Sequence, residues 1–403
     1  MERLVWLFPV LFVAVLSAAP SIPQPGAAAL STFLKEATDR GDVPGVVVAV
    51  VNKDGLLYNE GFGLSRTLSK RPMTPDTIFN MASMTKPVTS VAIMMLVDEG
   101  KLKLDDEVAK YLPKYKDPVV MSSFNEADAS YQTRPAKRPI TIRHLLTHTS
   151  GIGYGFASPK LTKIMQKTGK NELDLPLLFD PGDSWAYGPS TRVLGNVVEV
   201  ISGQKIDAFL ESRILQPLGM NDTSYLVPTT KYPRVVGVNA RGADGKFVER
   251  PLPATLPATV AGDGGLYGTA SDYGLFLRML LNHGTLGDKR ILSEKSAKTM
   301  LESHTGNVVV QPQESANLSL SRNFPLGAGA DRWGLGFQLA ADKVPNKRSR
   351  GSGTWAGIFN THFFIDPRRE IGVIVMMQTL PFYDEASMKV YAGVEEALYK
   401  NLK

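Results

Sequence analysis

The apolar positions change their rhythm along the chain. Residues 27–40 repeat them at helical spacing (Leu30, Phe33, Leu34, Ala37) and stop at Gly41. Residues 46–51 form an unbroken valine-rich run, the pattern of a buried strand. Asn52-Lys53-Asp54-Gly55 then reads as a hairpin turn in which Asp-Gly supplies positive φ values, and residues 56–64 return as the paired strand. The far end mirrors this opening. Residues 333–339, 359–365 and 371–378 read as strands, Asp366-Pro367 starts the turn between the last two, and residues 386–402 have helical period. In the middle, residues 86–99, 141–147, 192–202, 206–214 and 271–281 read as helices, heavily punctuated by Gly and Pro. Residues 116–138 are polar and irregular and read as a surface excursion. Strands at both ends with helices beside them predict an α/β (α+β) fold, one antiparallel sheet built from both termini, flanked by helices, with a mostly helical region inserted. The expected division is an α/β sandwich from residues 27–82 and 232–403, a helical region over 83–231, and a cleft between them.

The N-terminus has its own pattern. Met1-Glu2-Arg3 precedes a mostly apolar run over residues 4–16, followed by the small residues Ser17, Ala18 and Ala19, which is the layout of a secretory signal. The run is short for a spanning helix, which needs about 20 apolar residues. Residues 1–20 are therefore expected to direct export to the periplasm or the medium. Left uncleaved, the same segment would anchor the chain to a membrane.

Composition narrows the classes. The chain has 403 residues, 43% hydrophobic and 21% charged, which fits a globular protein too long for one small core. Its net charge of +6 is scattered, and the densest basic runs, residues 343–350 and Arg368-Arg369, are short. Without a basic stripe and interleaved aromatics, no nucleic-acid partner is expected. The absence of cysteine rules out disulfides, thiolate zinc sites and cysteine nucleophiles. There is no G-x-S-x-G elbow, no H-E-x-x-H and no P-loop. His144 and His148 stand four apart, but no acidic ligand accompanies them and Leu145-Leu146 lie between, so both read as structural.

The remaining chemistry lies in a few short segments. Ser-x-x-Lys occurs at Ser83-Met84-Thr85-Lys86 and at Ser202-Gly203-Gln204-Lys205. Gly203 is a helix-ending signal, so Ser202 and Lys205 are expected to straddle a break. Ser83 instead opens a long helical pattern, and Pro87 suits a first turn. Residues three apart share a helix face, and a helix start offers free N–H groups to a developing oxyanion. A desolvated lysine one turn on can accept the serine's proton. On spacing alone, Ser83 as an N-cap and Lys86 as a surface charge fit equally well. Two further segments bear on the choice. Pro181-Gly182-Asp183-Ser184-Trp185-Ala186-Tyr187-Gly188 is a tight aromatic loop before a helix, and a tyrosine there can act as a general base beside a lysine. Gly351-Ser352-Gly353-Thr354-Trp355-Ala356-Gly357 enters an apolar strand, where small residues let a backbone approach substrate closely. Taken singly, Tyr187 also fits a packed aromatic and the glycine segment an ordinary loop.

Together these segments resemble the serine β-lactamase and penicillin-binding-protein superfamily, and within it the class C-like branch that includes family VIII carboxylesterases and related transesterases. The resemblance runs over nearly all of residues 27–400. It passes through Phe79-Asn80-Met81-Ala82-Ser83-Met84-Thr85-Lys86, His144-Leu145-Leu146-Thr147-His148-Thr149-Ser150-Gly151 and Pro181-Gly182 leading into Tyr187. Gln216-Pro217-Leu218-Gly219-Met220, Arg332-Trp333-Gly334-Leu335-Gly336-Phe337 and Trp355-Ala356-Gly357 complete it. It implies a β-lactamase/transpeptidase-like fold and a two-step acyl transfer. Ser83 is then the nucleophile, and Lys86 and Tyr187 together handle its proton. The oxyanion hole would be the backbone N–H groups of Ser83 and Ile358, and Trp355, Ala356 and Gly357 would contact substrate. Neither metal nor organic cofactor is required.

Two departures bear on substrate. The Tyr-x-Asn element of β-lactamases reads Tyr187-Gly188-Pro189, and the Lys-Thr-Gly element reads Trp355-Ala356-Gly357. The amide that contacts a lactam side chain and the cation that faces a substrate carboxylate are both missing. This points to a small-molecule ester. The same site leaves open a β-lactamase, a D-alanyl-D-alanine carboxypeptidase or D-aminopeptidase, and a transesterase. Outside enzymes, it leaves open an inactive wall- or partner-binding homologue.

Overall fold

The computed structural model describes residues 22–256, 259–342 and 347–402. The expected export segment and residues 343–346 of the basic run lie outside the described residues. No described helix is long and apolar enough to cross a membrane.

The chain begins with helix α1 (Gln24–Asp39) and strands β1 (Gly45–Asn52), β2 (Leu56–Arg66) and β3 (Arg71–Pro72). Helix α2 (Thr85–Asp98), helix α3 (Ser190–Ser202) and helix α4 (Ala270–Leu281) belong to the middle of the chain. The C-terminal part adds β4 (Arg332–Trp333), β5 (Gln338–Leu339), β6 (Gly353–Gly357), β7 (Thr361–Asp366), β8 (Ile371–Met376) and helix α5 (Glu385–Asn401). The eight strands form one sheet in the order β4-β5-β6-β7-β8-β1-β2-β3. Every neighbouring pair is antiparallel. The two ends of the chain meet at its centre, where Val47 faces Met376 and Asn52 faces Ile371.

The valine run is unbroken because both faces of β1 are covered. Val46, Val48 and Val50 pack under α1 and α5 with Leu30, Leu34, Val390 and Val394. Val47, Ala49 and Val51 point the other way, into the larger core shared with α2 and α4. Helix α2 runs through that core and is buried from Thr85 to Leu96, so it is covered on every side and has no solvent face over that stretch.

Three local readings need correction. Gly55 does not adopt a positive φ, and the β1–β2 turn is held instead by Asn52 Oδ1, which accepts the N–H groups of Asp54 (2.9 Å) and Gly55 (2.7 Å). Residues 333–339 are not one strand but the β4–β5 hairpin, closed by Gly334 N–H to the Phe337 carbonyl at 2.8 Å. Residues 116–138 are not irregular, since Val119–Phe124 and Tyr131–Pro135 pair as an antiparallel hairpin. Its side chains are largely exposed, so the apolar alternation that marks a half-buried strand is absent. Helices Pro159–Thr168 and Glu294–Met300 went unread in the sequence.

Candidate active site

Ser83 lies in a single 3-10 turn, Ala82–Met84, that leads into α2. The turn is held from several directions. Met81 N–H donates to the Leu266 carbonyl (2.9 Å), Asn80 Oδ1 accepts Ala82 N–H (3.0 Å), and Tyr273 OH donates to the Met84 carbonyl (3.1 Å). Ala82 carries φ +44°, a left-handed conformation unusual for a residue with a side chain. Such strain, on the order of 1–3 kcal/mol, persists only where the surroundings over-determine it. Here it aims the next side chain, Ser83, out of the core, and Ser83 remains partly accessible.

Lys86, one turn on, is 2% exposed. Its Nζ lies 3.1 Å from Ser83 Oγ, 3.1 Å from Tyr154 OH and 2.7 Å from the Asp263 carbonyl oxygen. The two candidate residues are thus in hydrogen-bond contact inside the fold, whereas the competing pair is not. Ser202 Oγ is spent on the Val198 carbonyl, Gly203 ends α3 in the left-handed region, and Lys205 reaches Glu199 at the surface.

Tyr187 comes from the loop before α3, and Pro189 stands at the first boundary position of that helix. Gly188 is required by close approach, because a Cβ there would sit 2.0 Å from the Ile152 carbonyl oxygen. The Tyr187 ring centroid is 4.9 Å from Lys86 Nζ and 4.8 Å from the Trp355 ring. Its hydroxyl accepts the Trp355 indole N–H at 3.3 Å. Tyr154, which the sequence reading missed, is the tyrosine whose hydroxyl meets Lys86.

Strand β6 supplies the facing wall. A Cβ on Gly357 would lie 2.3 Å from the Met81 carbonyl oxygen, so only glycine lets β6 come this close to the turn carrying Ser83. The Gly357–Ile358 peptide and the Ser83 turn therefore stand on segments in direct contact. Trp355 faces the site, with the Trp333 ring 4.8 Å and the Trp185 ring 6.4 Å away. Ala356 projects to the other face of β6, where it lines a cavity of about 260 Å³ with His362, Tyr383 and Tyr391. Phe156 and Phe324, their centroids 6.1 Å apart, extend the apolar wall beyond Tyr187.

Of the two histidines, His144 takes the Thr141 N–H through Nδ1 and caps its short helix. His148 is packed among Trp185, Tyr187 and Trp333, and burial with the nearby Lys86 charge holds it well below its usual pKa. Among the described residues no group of three or more His, Cys, Asp or Glu is placed to hold a metal.

Behind Lys86 lies a buried ionic network. Asp263 accepts a short hydrogen bond from Tyr154 OH through Oδ2 and a 2.9 Å bond from Arg192 Nε through Oδ1. Burial acts to raise the Asp263 carboxyl. The charges of Lys86 and Arg192, with the hydrogen bonds from Arg192 and Tyr154, outweigh burial and hold it below the usual carboxylate range. Burial and the Asp263 charge push the Tyr154 phenol well above its usual value, so it stays protonated. Asp263, like Tyr154, was missed. The visible signal was a lone acid in Ala261-Gly262-Asp263-Gly264-Gly265, where nothing else is charged.

A Beta-lactamase family model matches residues 30–397. The lovastatin esterase of Penicillium rubens is 29% identical over 385 residues, covering 87% of this chain and 93% of its own. Esterase EstB of Burkholderia gladioli is 29% identical over 416 residues, covering 93% and 95%. The structure of simvastatin synthase from Aspergillus terreus superposes with a TM-score of 0.80 at 24% identity, over 94% of this chain and 98% of that one, and shares the fold. Ser83, Lys86, Tyr187 and Trp355 all lie inside the matched span, and the chain belongs to the Beta-lactamase family, with esterases among its relatives.

Proposed function

We propose that this chain is a serine esterase that cleaves small or medium carboxylic esters through an acyl-enzyme on Ser83. The observation that carries the reading is the 3.1 Å contact between Lys86 Nζ and Ser83 Oγ, in a site walled by Trp355, Tyr187 and Phe156. Ser83 Oγ attacks the ester carbonyl carbon as its proton passes to the Lys86–Tyr187 pair. The oxyanion is stabilised by the N–H groups of Ser83 and Ile358. Collapse breaks the bond to the alkoxy group, which leaves as the alcohol with the proton returned by the pair. Water then repeats the sequence on the acyl-enzyme and frees the acid and Ser83.

The substrate preference rests on Trp355. In a lactam or peptide site a cation there would face the substrate carboxylate, whereas this indole offers an apolar surface and donates its N–H to Tyr187. The names of the two esterase relatives agree with ester chemistry. The test is a comparison of kcat/KM for p-nitrophenyl butyrate and a chromogenic cephalosporin. Esterase function requires the ester to be turned over faster; preference for the cephalosporin overturns it. Export through residues 1–20 belongs to the same reading and is checked by N-terminal sequencing of protein recovered outside the cytoplasm.

A further inference from the structure

We propose that Asp263 is a positioning residue for Lys86: its buried carboxylate, fixed by Arg192, accepts the hydrogen bond of the Tyr154 hydroxyl and so directs the Lys86 amine at Ser83. The inference rests on the assignment of Ser83 as nucleophile and goes beyond it.

Lys86 Nζ has three partners, Ser83 Oγ, Tyr154 OH and the Asp263 carbonyl oxygen. A carbonyl oxygen only accepts. A phenol either donates or accepts, and its direction here is decided by Asp263. Because the Tyr154 O–H is committed to Asp263 Oδ2, its oxygen has only lone pairs left for Lys86. Two of the three positions around Nζ are therefore fixed as acceptors. When Lys86 is a neutral amine, its two N–H groups fill those positions, and the lone pair is left facing Ser83. That is the single direction from which the serine's proton can be taken. Arg192 holds the far carboxylate oxygen and keeps the carboxylate from turning.

The network also places a buried charge close to Lys86. Asp263 is 4% exposed, so its charge is poorly screened. The groups facing the carboxylate are Lys86, Arg192, Tyr154 and Tyr225, and those facing Lys86 also include Tyr187 and His148. Glu172 acts on Arg192 from outside. Removing a negative charge close to a reacting proton favours the less protonated state, and removing a positive charge favours the more protonated one, so variants of Asp263 and Arg192 are expected to displace the pH profile of Ser83 labelling in opposite directions.

The test measures the rate of Ser83 phosphonylation by a fluorophosphonate probe from pH 5 to 10, in the full chain. In that step the Oγ–P bond forms, the P–F bond breaks with loss of fluoride, and the serine's proton goes to the pair. Asp263→Asn is expected to lower the acid limb by about one to two pH units and to reduce the plateau rate. Arg192→Gln, a milder change at a partly exposed side chain, is expected to raise the limb by a smaller amount. Shifts of opposite sign are not produced by a structural role, which lowers thermal stability and amplitude and leaves the limb in place. An unmoved limb in folded Asp263→Asn overturns the proposal. If that variant does not fold, an unmoved or lowered limb in Arg192→Gln does so. No label on Ser83 in the wild type would sink the esterase reading instead, which keeps the two failures apart.

Discussion

Replacing Gly357 by alanine adds one methyl group where β6 meets the turn carrying Ser83. The new Cβ would lie 2.3 Å from the Met81 carbonyl oxygen and 2.4 Å from Thr361 Oγ1, well under the 3.0 Å that such contacts respect. The Met81 oxygen is main chain and cannot rotate away, so strand and turn must separate by at least roughly 0.7 Å. Overpacking of this kind destabilises by about 1–3 kcal/mol, which a domain with both sheet faces buried survives. On the proposed mechanism catalysis is more sensitive, because Ile358 N–H, the proposed oxyanion donor, follows the displaced residue. Misplacing or losing one oxyanion donor lowers turnover by about 10²–10³-fold, roughly 3–4 kcal/mol of transition-state stabilisation. The loss is expected in kcat more than in KM, since the oxyanion exists only in the transition state. Steady-state hydrolysis of p-nitrophenyl butyrate, with thermal denaturation as the folding control, reads both quantities. A folded Gly357→Ala enzyme with kcat within about threefold of wild type would refute the placement of the oxyanion hole.

Ser83→Ala should lower ester turnover by about 10³-fold or more, while Ser202→Ala leaves it unchanged, as read in the same assay. Trp355→Phe keeps an aromatic wall but removes the N–H donated to Tyr187 OH; a hydrogen bond worth about 1 kcal/mol should appear as a several-fold fall in kcat. Glu395→Gln should lower thermal stability by about 3–5 kcal/mol, because it leaves the Arg348 charge buried without its partner. Burial acts to raise the Glu395 carboxyl, and the hydrogen bonds and charge of Arg348 hold it below the usual range. The stabilisation is therefore present above the unfolded glutamate value near 4.3 and is lost as pH falls through the lower folded value, so wild type and variant should converge in acid melts.

What could be read from the sequence follows from how locally each feature is encoded. The valine run and the strands near the C-terminus carry their own signal, because a strand covered on both faces must be apolar throughout. Ser83 and Lys86 stand three apart at a helix start, so the sequence could offer them as neighbours on one face, and the structure puts them in contact at 3.1 Å. Tyr187 and Trp355 lay in segments whose composition was already suggestive, and the structure brings them to 3.3 Å of each other, with the Lys86 amine bonded to Tyr154 rather than to Tyr187. The misread segments lacked local signals of the right kind. Gly334 and Gly336 sit inside an otherwise strand-like apolar run and bend it into a hairpin, and the hairpin at 119–135 is too exposed to show apolar alternation.

The Tyr154–Asp263–Arg192 network was the least legible part of the site. Tyr154 and Asp263 are separated by 109 positions, and Asp263 and Arg192 by 71. No periodicity joins residues that far apart. A lone charge in a glycine-rich stretch is a visible oddity, but only the fold shows that it lies behind Lys86.

The claim that Ser83 carries the acyl group is tested most directly by trapping it. The enzyme is mixed with p-nitrophenyl butyrate, quenched in acid within the first turnovers, digested and mapped by mass spectrometry. The expected result is a butyryl group on the peptide containing Ser83, absent from Ser83→Ala. A butyryl group on another residue, or hydrolysis at full rate by Ser83→Ala, would contradict it.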